Sequence, residues 1–324
     1  YNLFALAMMS VFSLSAQTIV NISDTDLEAG QTYNWTNDNT YVLNGLVYLE
    51  EGGRLNIQAG TVIRAKPNQG DNASALIITR GAQIYAQGTA NQPIIFTAED
   101  DDINDGGDFT AQDRGEWGGL IILGYATVAR PGGMDNIEGI TVEARTTFGG
   151  GDTPDDEDNS GVLRYVSIRH GGAALAPGDE INGLTLGGVG SGTEIDYIEV
   201  FANLDDGIEW FGGTVNVKHA AVAFCGDDSF DYDFGYRGLG QYWFSLQSPE
   251  FSTGRAGEHD GASPDNQAPF SQPTIYNATY IGIGNGETGS GGDADDFGIL
   301  VRDNGGGFYN NSIFTGFPAI GLAV

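Results

Sequence analysis

The sequence predicts an all-β fold, a parallel β-helix in which short strands stack as the coils of a solenoid. Three observations support it, and the first two are a 22-residue repeat around position 200 and a 29-residue repeat nearer the start. A third is that no helical periodicity separates the β-prone segments. Repeats of about 20 to 30 residues made of short strands are typical of solenoids. A solenoid lengthens without adding cores, so we expect the 324 residues to form one elongated domain.

Composition excludes some classes of partner. The chain has 13 Lys and Arg against 44 Asp and Glu, a formal net charge of −31. This field repels phosphate backbones and anionic lipid headgroups, so nucleic acid is not expected as a partner.

Cys225 is the single cysteine, which rules out an intrachain disulfide. It lies in the apolar run AAVAFC, which predicts a buried thiol.

Residues 1–16 are predicted to be a signal peptide that lacks its N-terminal end. The apolar run at residues 3–14 is too short to span a bilayer, and small residues precede a cleavage point after Ala16. We therefore expect a secreted or cell-surface protein with no membrane span in the mature chain.

The remaining chain divides into a cap and a solenoid. Residues 17–44 are polar and turn-rich, as expected of an N-terminal cap, and residues 45–324 form the β-helix, which we expect to be C-terminally incomplete. Within it, residues 46–63 and 75–90 align at an offset of 29, each with the pattern strand, glycine turn, strand. The longest polar excursion is residues 131–161.

The central repeat occupies residues 193–236. A shift of 22 residues aligns apolar, acidic and aromatic positions together, which needs a structural cause. In a parallel solenoid, matched positions of successive coils stack about 4.8 Å apart. The aligned pairs are Ile195 with Val217, Val200 with Val222, Asp205 and Asp206 with Asp227 and Asp228, Ile208 with Phe230, Glu209 with Asp231, and Trp210 with Tyr232.

Stacking places like charges together in this repeat, and something must offset their repulsion of about 1 kcal/mol per pair in water. Exposure to solvent, a raised pKa and a bound calcium ion are three explanations. The candidate calcium ligands are Asp205, Asp206, Asp227, Asp228 and Asp231. If the protein is an enzyme, the candidate catalytic residues are Asp205, Asp206, Glu209, Asp227, Asp228, Asp231 and Arg237.

Aromatic residues lie close to these acids in the sequence. Aromatic faces beside carboxylates suit a sugar, because rings stack on the apolar side of a pyranose while acids accept hydroxyl hydrogen bonds. The alternative is that the rings fill the core. The candidate glycan-binding residues are Trp210, Tyr232, Tyr236 and Trp243.

Other acidic stretches carry weaker signals. The loops 100–108 and 152–158 lack the spacing of an EF-hand and are expected to be solvated. Asp295 and Asp296 follow a later copy of the strand pattern and are expected to be a third, looser member of the acidic column. The three histidines share no metal-ligand spacing. No organic cofactor is predicted.

Several longer strings carry a resemblance to a known family. They are RGEWGGLIILG (114–124), SGVLRYVSIRHGG (160–172), EINGLTLGGVGSGT (180–193), YIEVFANLDDGIEWFGGTVN (197–216) and FCGDDSFDYDFGYRG (224–238). The chain resembles secreted right-handed parallel β-helix proteins of Bacteroidota. This resemblance implies a right-handed coil, export and often a C-terminal type IX sorting domain, but it implies no particular activity.

A second resemblance is confined to one motif. Gly226, Asp227 and Asp228 are similar to the paired-aspartate motif of polygalacturonases, whose Gly-His-Gly and Arg-x-Lys motifs have no counterpart at the expected following coils. The leading hypothesis is therefore a glycan-binding or adhesive module, which calcium stabilises. A polysaccharide lyase or glycoside hydrolase is the alternative, and a structural stalk without a ligand is the second alternative.

Overall fold

A computed structural model describes residues 17–67, 70–176, 179–250, 253–284, 287 and 297–324. It confirms the predicted fold: the chain winds as a single right-handed parallel β-helix with long acidic and glycine-rich loops. The predicted signal peptide and the pair Asp295 and Asp296 lie outside the described residues. Within the described part, no helix has the length and apolar character needed to cross a bilayer.

The described residues form 27 strands and four single turns of 3₁₀ helix. The strands are β1 (Thr18–Ile22), β2 (Thr32–Trp35), β3 (Asn39–Leu43), β4 (Leu46–Leu49), β5 (Arg54–Ile57), β6 (Val62–Ala65), β7 (Ala75–Ile78), β8 (Gln83–Gln87), β9 (Ile94–Ala98), β10 (Leu120–Leu123), β11 (Asp135–Asn136), β12 (Thr147–Phe148), β13 (Gly161–Arg169), β14 (Ala174–Ala176), β15 (Asp179–Glu180), β16 (Leu184–Gly187), β17 (Glu194–Phe201), β18 (Ile208–Phe211), β19 (Asn216–Ala223), β20 (Phe230–Asp233), β21 (Leu239–Leu246), β22 (Gly257–Asp260), β23 (Thr274–Tyr276), β24 (Thr279–Ile281), β25 (Ile299–Arg302), β26 (Phe308–Asn310) and β27 (Ile313–Thr315). The 3₁₀ turns are Asp24–Asp26, Gly70–Asn72, Pro131–Gly133 and Ala144–Thr146.

The coils build two large parallel sheets. An eight-stranded sheet runs β4-β7-β10-β16-β18-β20-β22-β25, and a fifteen-stranded sheet has two branches. In the early coils the branches are separate, because β5 pairs with β8 while β6 pairs with β9. From β13 onward one long strand serves both branches, and β21 divides them again between β23 and β24.

A column of bends joins the two branches. The bend residues have φ between +49° and +60°, a region that few non-glycine residues adopt. Four of their rings stack along the coil axis, with centroids 4.3, 4.2 and 4.9 Å apart. In order, the stacked rings belong to Tyr165, Tyr197, His219 and Tyr242, and the register continues the column to Asn277 and Asn311.

Both predicted repeat offsets match the pairing of the strands. Ile195 pairs with Val217 and Glu209 with Asp231, as the 22-residue offset requires. The 29-residue offset places Leu49 opposite Ile78. Residues 17–44 carry β1, β2 and β3, which pair in parallel with strands of the following coils.

The core lies inside the coil and consists of stacked columns. Along the eight-stranded sheet one inward column is Leu186, Trp210, Tyr232 and His259, all buried. Burying each large apolar side chain contributes roughly 1.5 to 3 kcal/mol. Cys225 is buried beside this core, as predicted.

The outward face of the eight-stranded sheet changes character along the coil axis. Over the early coils it is apolar, and the excursion that includes β11 and β12 covers it with a second hydrophobic cluster. Gly187 makes this possible, because a Cβ there would lie 2.8 Å from the ring of Phe148. The apolar cover extends to Phe211, and beyond it the outward residues are acidic.

Candidate functional site

Two consecutive turns bring four aspartates together at one corner of the coil. The turns follow β17 and β19 and lead into the eight-stranded sheet. The backbone N–H of Asp228 donates to Oδ1 of Asp206 at 2.8 Å, and the N–H of Gly207 donates to the carbonyl of Asp228 at 2.9 Å. The turn that carries Asp205 is therefore stacked on the turn that carries Asp227, as predicted.

Side chains from the neighbouring strands extend this corner into an acidic cleft. Thr185, Glu209, Asp231 and Glu258 are consecutive members of one outward column of the eight-stranded sheet. The cleft has a volume of about 490 Å³. Its lining residues are Glu138, Asn182, Asp205, Asp206, Glu209, Phe211, Asp227, Asp228, Asp231, Asp233, Phe234, Glu258, Asp260 and Arg302.

Two arginines neutralise one end of the cleft. Arg255 pairs with Glu258 and, at 3.5 Å, with Asp228. Arg302 pairs with Glu258 at 2.6 Å and with Asp260 at 2.7 Å. These ion pairs offset only part of the cost, because burial still raises the pKa of Asp228 well above its usual range and also raises that of Asp260.

At the other end, burial and mutual repulsion disfavour the ionised form of the acids. Asp206 and Glu209 are 7% and 6% exposed. Burial, followed by the charges of Asp205 and Asp231, raises the pKa of Asp206 well above its usual range. Burial also raises the pKa of Glu209 and Asp231 well above normal, and raises that of Asp233 to about 7. A cation placed here would relieve both costs.

Two buried oxygens in the cleft have no hydrogen-bond partner among the described residues. One is Oδ1 of Asn182, a residue that is 3% exposed, and the other is Oδ1 of Asp231. The amide nitrogen of Asn182 donates to Glu209. A buried acceptor left without a partner costs about 1 to 3 kcal/mol, so these oxygens are positioned for a ligand that accepts electron pairs.

The donor set fits a hard divalent cation. Two groups of carboxylates each have ligand oxygens that lie within 4.8 Å of one another: Asp205, Asp206 and Asp227, and Asp206, Glu209 and Asp231. All of these donors are oxygen atoms, which calcium prefers over nitrogen and sulfur. A single calcium takes six to eight oxygens, so three carboxylates leave positions for water or for oxygens of a ligand.

The predicted acids come together, but the predicted basic residue does not. Asp205, Asp206, Glu209, Asp227, Asp228 and Asp231 all line the cleft. Arg237 does not: its guanidinium donates to Asp156 at 3.1 Å. The inclusion of Arg237 in the site was therefore wrong, and Arg255 and Arg302 are the arginines at the cleft.

The four predicted sugar-stacking rings lie elsewhere. Trp210, Tyr232, Tyr236 and Trp243 are at most 1% exposed and stack on core neighbours. A sugar cannot reach their faces, so assigning them to a glycan surface was wrong. The reason is strand geometry: consecutive residues point to opposite sides, so Glu209 faces the cleft and Trp210 faces the core.

Sequence reasoning missed the cleft residues that come from other coils. Glu258 and Asp260 lie one coil beyond the repeat, and Glu138 lies in the polar excursion. Asn182 precedes β16, in the coil before the repeat. The loops between these coils differ in length, so no constant offset marks these residues. Only the alternation within β22, where Glu258 and Asp260 flank His259, was available as a signal.

The acidic loop at 100–108 forms a second, smaller cavity of about 260 Å³. Asp102 accepts hydrogen bonds from Asn104, and Asp108 accepts one from the backbone N–H of Asp102. These carboxylates cap their own loop, and no group of metal-ligating side chains is found there within the described residues.

Comparison with known proteins gives one match. Residues 27–324 match the pectate-lyase-like beta-helix domain. No curated protein and no solved structure matches the chain. Because the match covers nearly the whole sequence and agrees with the stacked parallel strands, the chain belongs to the pectate-lyase-like β-helix domain family.

Proposed function

We propose that the protein is a calcium-binding β-helix whose acidic cleft binds a polysaccharide through the cation. The observation that carries the proposal is the convergence of carboxylates from consecutive coils, with ligand oxygens within 4.8 Å of one another. The family supports a polysaccharide as the partner, since its description is pectate-lyase-like.

The negative charge of the cleft decides whether a glycan needs a cation in order to bind. Ten carboxylates line it together with Arg302, and Arg255 pairs with two of these carboxylates from outside the lining. Without a cation, this surface repels the carboxylates of an acidic polysaccharide. A bound calcium reduces the local negative charge and offers open coordination positions to carboxylate or hydroxyl oxygens. Glycan binding is therefore expected to depend on calcium.

The second candidate function is a polysaccharide lyase or glycoside hydrolase at the same cleft. Asp233 favours it, because a carboxyl with a pKa of about 7 suits a general acid at neutral pH. Arg255 and Arg302 lie at the same cleft and could stabilise a developing negative charge.

Calorimetry tests the calcium step. Protein stripped with a chelator is titrated with calcium chloride, beside the variants Asp206→Asn and Asp152→Asn. We expect saturable binding in the wild type and a loss of at least about tenfold in affinity for Asp206→Asn. Asp152 is exposed and lies outside the cleft lining, so Asp152→Asn removes the same charge and should bind as the wild type does. Absence of binding in the wild type would refute the proposal.

Polysaccharides test the partner and separate the candidates. Polygalacturonate and neutral glycans are offered with calcium and with chelator. Binding that needs calcium and releases no product supports the binding module. New reducing ends, or ultraviolet absorbance from unsaturated products, would identify the enzyme. Silence in every assay would favour the stalk.

We also propose that the chain is exported. Residues 1–16 have the features of a signal peptide, and the resemblance to secreted β-helix proteins of Bacteroidota supports the same destination. Mass spectrometry of the mature protein from its native host should give an N-terminus at Gln17. An intact N-terminus upstream of Leu3 would contradict export by cleavage.

A further inference from the structure

The two carboxylate groups of the cleft share one residue but differ in position. Asp205, Asp206 and Asp227 lie in the stacked turns, whereas Glu209 and Asp231 lie opposite each other on β18 and β20. Asp206 belongs to both groups. A carboxylate has two oxygens and about four lone-pair sites, so Asp206 can accept from Asp228 and still contact two cations.

Charge favours two cations over one. The five carboxylates of the two groups carry five negative charges when ionised, and a single divalent ion would leave an excess of three at a site where Asp206 and Glu209 are buried. A second divalent ion reduces the excess to one. Asp228 already has Arg255 as a counter-ion, and Glu258 has both Arg255 and Arg302, so neither acid is needed as a ligand.

Asn182 provides the independent observation. It is 3% exposed and lines the cleft, and its amide nitrogen donates to Glu209. That bond turns the amide so that Oδ1 is left without a partner. Oδ1 of Asp231 is likewise buried and without a partner. Asparagine carbonyl oxygens are ordinary calcium ligands, and a cation between these side chains would satisfy both oxygens.

We propose that the cleft holds two calcium ions bridged by Asp206, and that the inner ion is bound by Asp206, Glu209, Asp231 and the amide oxygen of Asn182. The outer ion is bound by Asp205, Asp206 and Asp227, of which Asp227 is exposed. The inference rests on the proposed calcium function and adds a second position and a ligand that the acidic repeat does not contain.

Equilibrium dialysis with calcium quantified by atomic emission tests the number of ions. We expect two ions per chain in the wild type, one in Asn182→Leu and one in Asp227→Ala. Asn182→Asp keeps an oxygen at the same position and should retain two. If Asn182 acted only by donating a hydrogen bond to Glu209, both variants would lack that donor. Asn182→Asp and Asn182→Leu would then both lose the ion.

The outcomes separate this inference from the proposed function. If the wild type binds one ion, the two-ion arrangement is overturned while the calcium function stands; if it binds none, both are overturned. Two ions in Asn182→Leu, or one ion in Asn182→Asp, would overturn the role of the amide oxygen. If circular dichroism shows that Asn182→Leu does not fold, Asp227→Ala decides the number of positions and Asn182→Asp decides the ligand.

Discussion

Asp206 is a buried carboxylate that is surrounded by other negative charges. It is 7% exposed, it accepts the backbone N–H of Asp228, and all the neighbouring charges that act on it most strongly are negative. In the absence of a cation its carboxylate costs stability, and in the presence of one it becomes the central ligand. Stability and cation binding therefore place opposite demands on this side chain.

Replacing Asp206 with asparagine should reverse the order of stability with and without calcium. The amide retains an oxygen for the Asp228 N–H but removes the negative charge. Without calcium at pH 8, we expect the variant to be more stable than the wild type by about 1 kcal/mol or more. With millimolar calcium, the wild type should be the more stable. Thermal unfolding with chelator and with calcium measures both differences.

Asp152→Asn is the matched control, and it should follow the wild type under both conditions. A variant Asp206→Asn that is less stable than the wild type in chelator would mean that the carboxylate stabilises the fold without any cation.

The sequence predicts which side chains of a strand point outward and which point into the core, but the assignment of the aromatic residues to a glycan surface did not use this alternation. Glu209 and Trp210 are neighbours on one strand, so placing the acid outside requires the tryptophan to be inside. By contrast, nothing in the sequence indicates that the amide of Asn182 would turn toward Glu209. That contact depends on how the turn before β16 is stacked on the next coil.

At the scale of elements, the bends within β13, β17, β19 and β21 set the angle between the two branches of the fifteen-stranded sheet. Each bend residue adopts positive φ, which costs energy for a residue other than glycine or asparagine. Stacking of the rings of Tyr165, Tyr197, His219 and Tyr242 offsets that cost.

The variant Tyr197→Asn tests this compensation. Asparagine tolerates positive φ, as Asn277 and Asn311 do in the same column, but it loses the stacks with Tyr165 and His219. Each aromatic pair contributes about 0.5 to 1.5 kcal/mol, so we expect a loss of about 1 to 3 kcal/mol in the free energy of unfolding. Chemical denaturation measures it.

Tyr197→Phe keeps both stacks and should change stability by less than about 0.5 kcal/mol. Equal losses in the asparagine and phenylalanine variants would assign the effect to the tyrosine hydroxyl, and not to stacking.

The register of these elements was largely predictable. Offsets of 22 and 29 residues, read from repeated apolar and acidic positions, match the observed pairing of β17 with β19 and of β4 with β7. The positions of the acids in later coils were not predictable, because the insertions between β20 and β22 and between β22 and β25 change the repeat length. Glu258 stacks on Asp231 at an offset that appears once and so forms no repeat.

At the scale of the whole molecule, the acids of the cleft make stability depend on pH. In the unfolded chain these carboxyls ionise near pH 4, whereas burial raises the pKa of Asp233 to about 7 and those of Asp206, Glu209 and Asp231 well above normal. The folded chain therefore binds more protons than the unfolded chain above pH 4. Its stability must fall as pH rises through this range.

His259 has the opposite effect at lower pH. Burial lowers its pKa to about 3, so its contribution is complete above the unfolded value of about 6.5 and is lost as pH falls toward 3. Between pH 6.5 and pH 8, His259 no longer changes the stability, and only the effect of the cleft carboxyls remains.

In that range we expect the melting temperature of calcium-free protein to decrease as pH rises, because ionising the cleft becomes a cost that only the folded chain bears. Saturating calcium should remove most of the dependence, since the cation stabilises the ionised form. Calorimetric melts at pH 6.5, 7.2 and 8.0, with chelator and with calcium, measure both slopes. A melting temperature that rises with pH in chelator would contradict the assigned environment of the acids.

The short turns after β17 and β19 have one more consequence. Most of the other connections from the fifteen-stranded sheet to the eight-stranded sheet are longer. The early coils are covered by an apolar segment that reaches Phe211. The cleft is open because two successive connections, residues 202–207 and 224–229, are short. A flexible loop inserted into either turn would therefore cover the cleft without changing the pairing of the strands beneath it. Such an insertion offers a way to control access to the cleft.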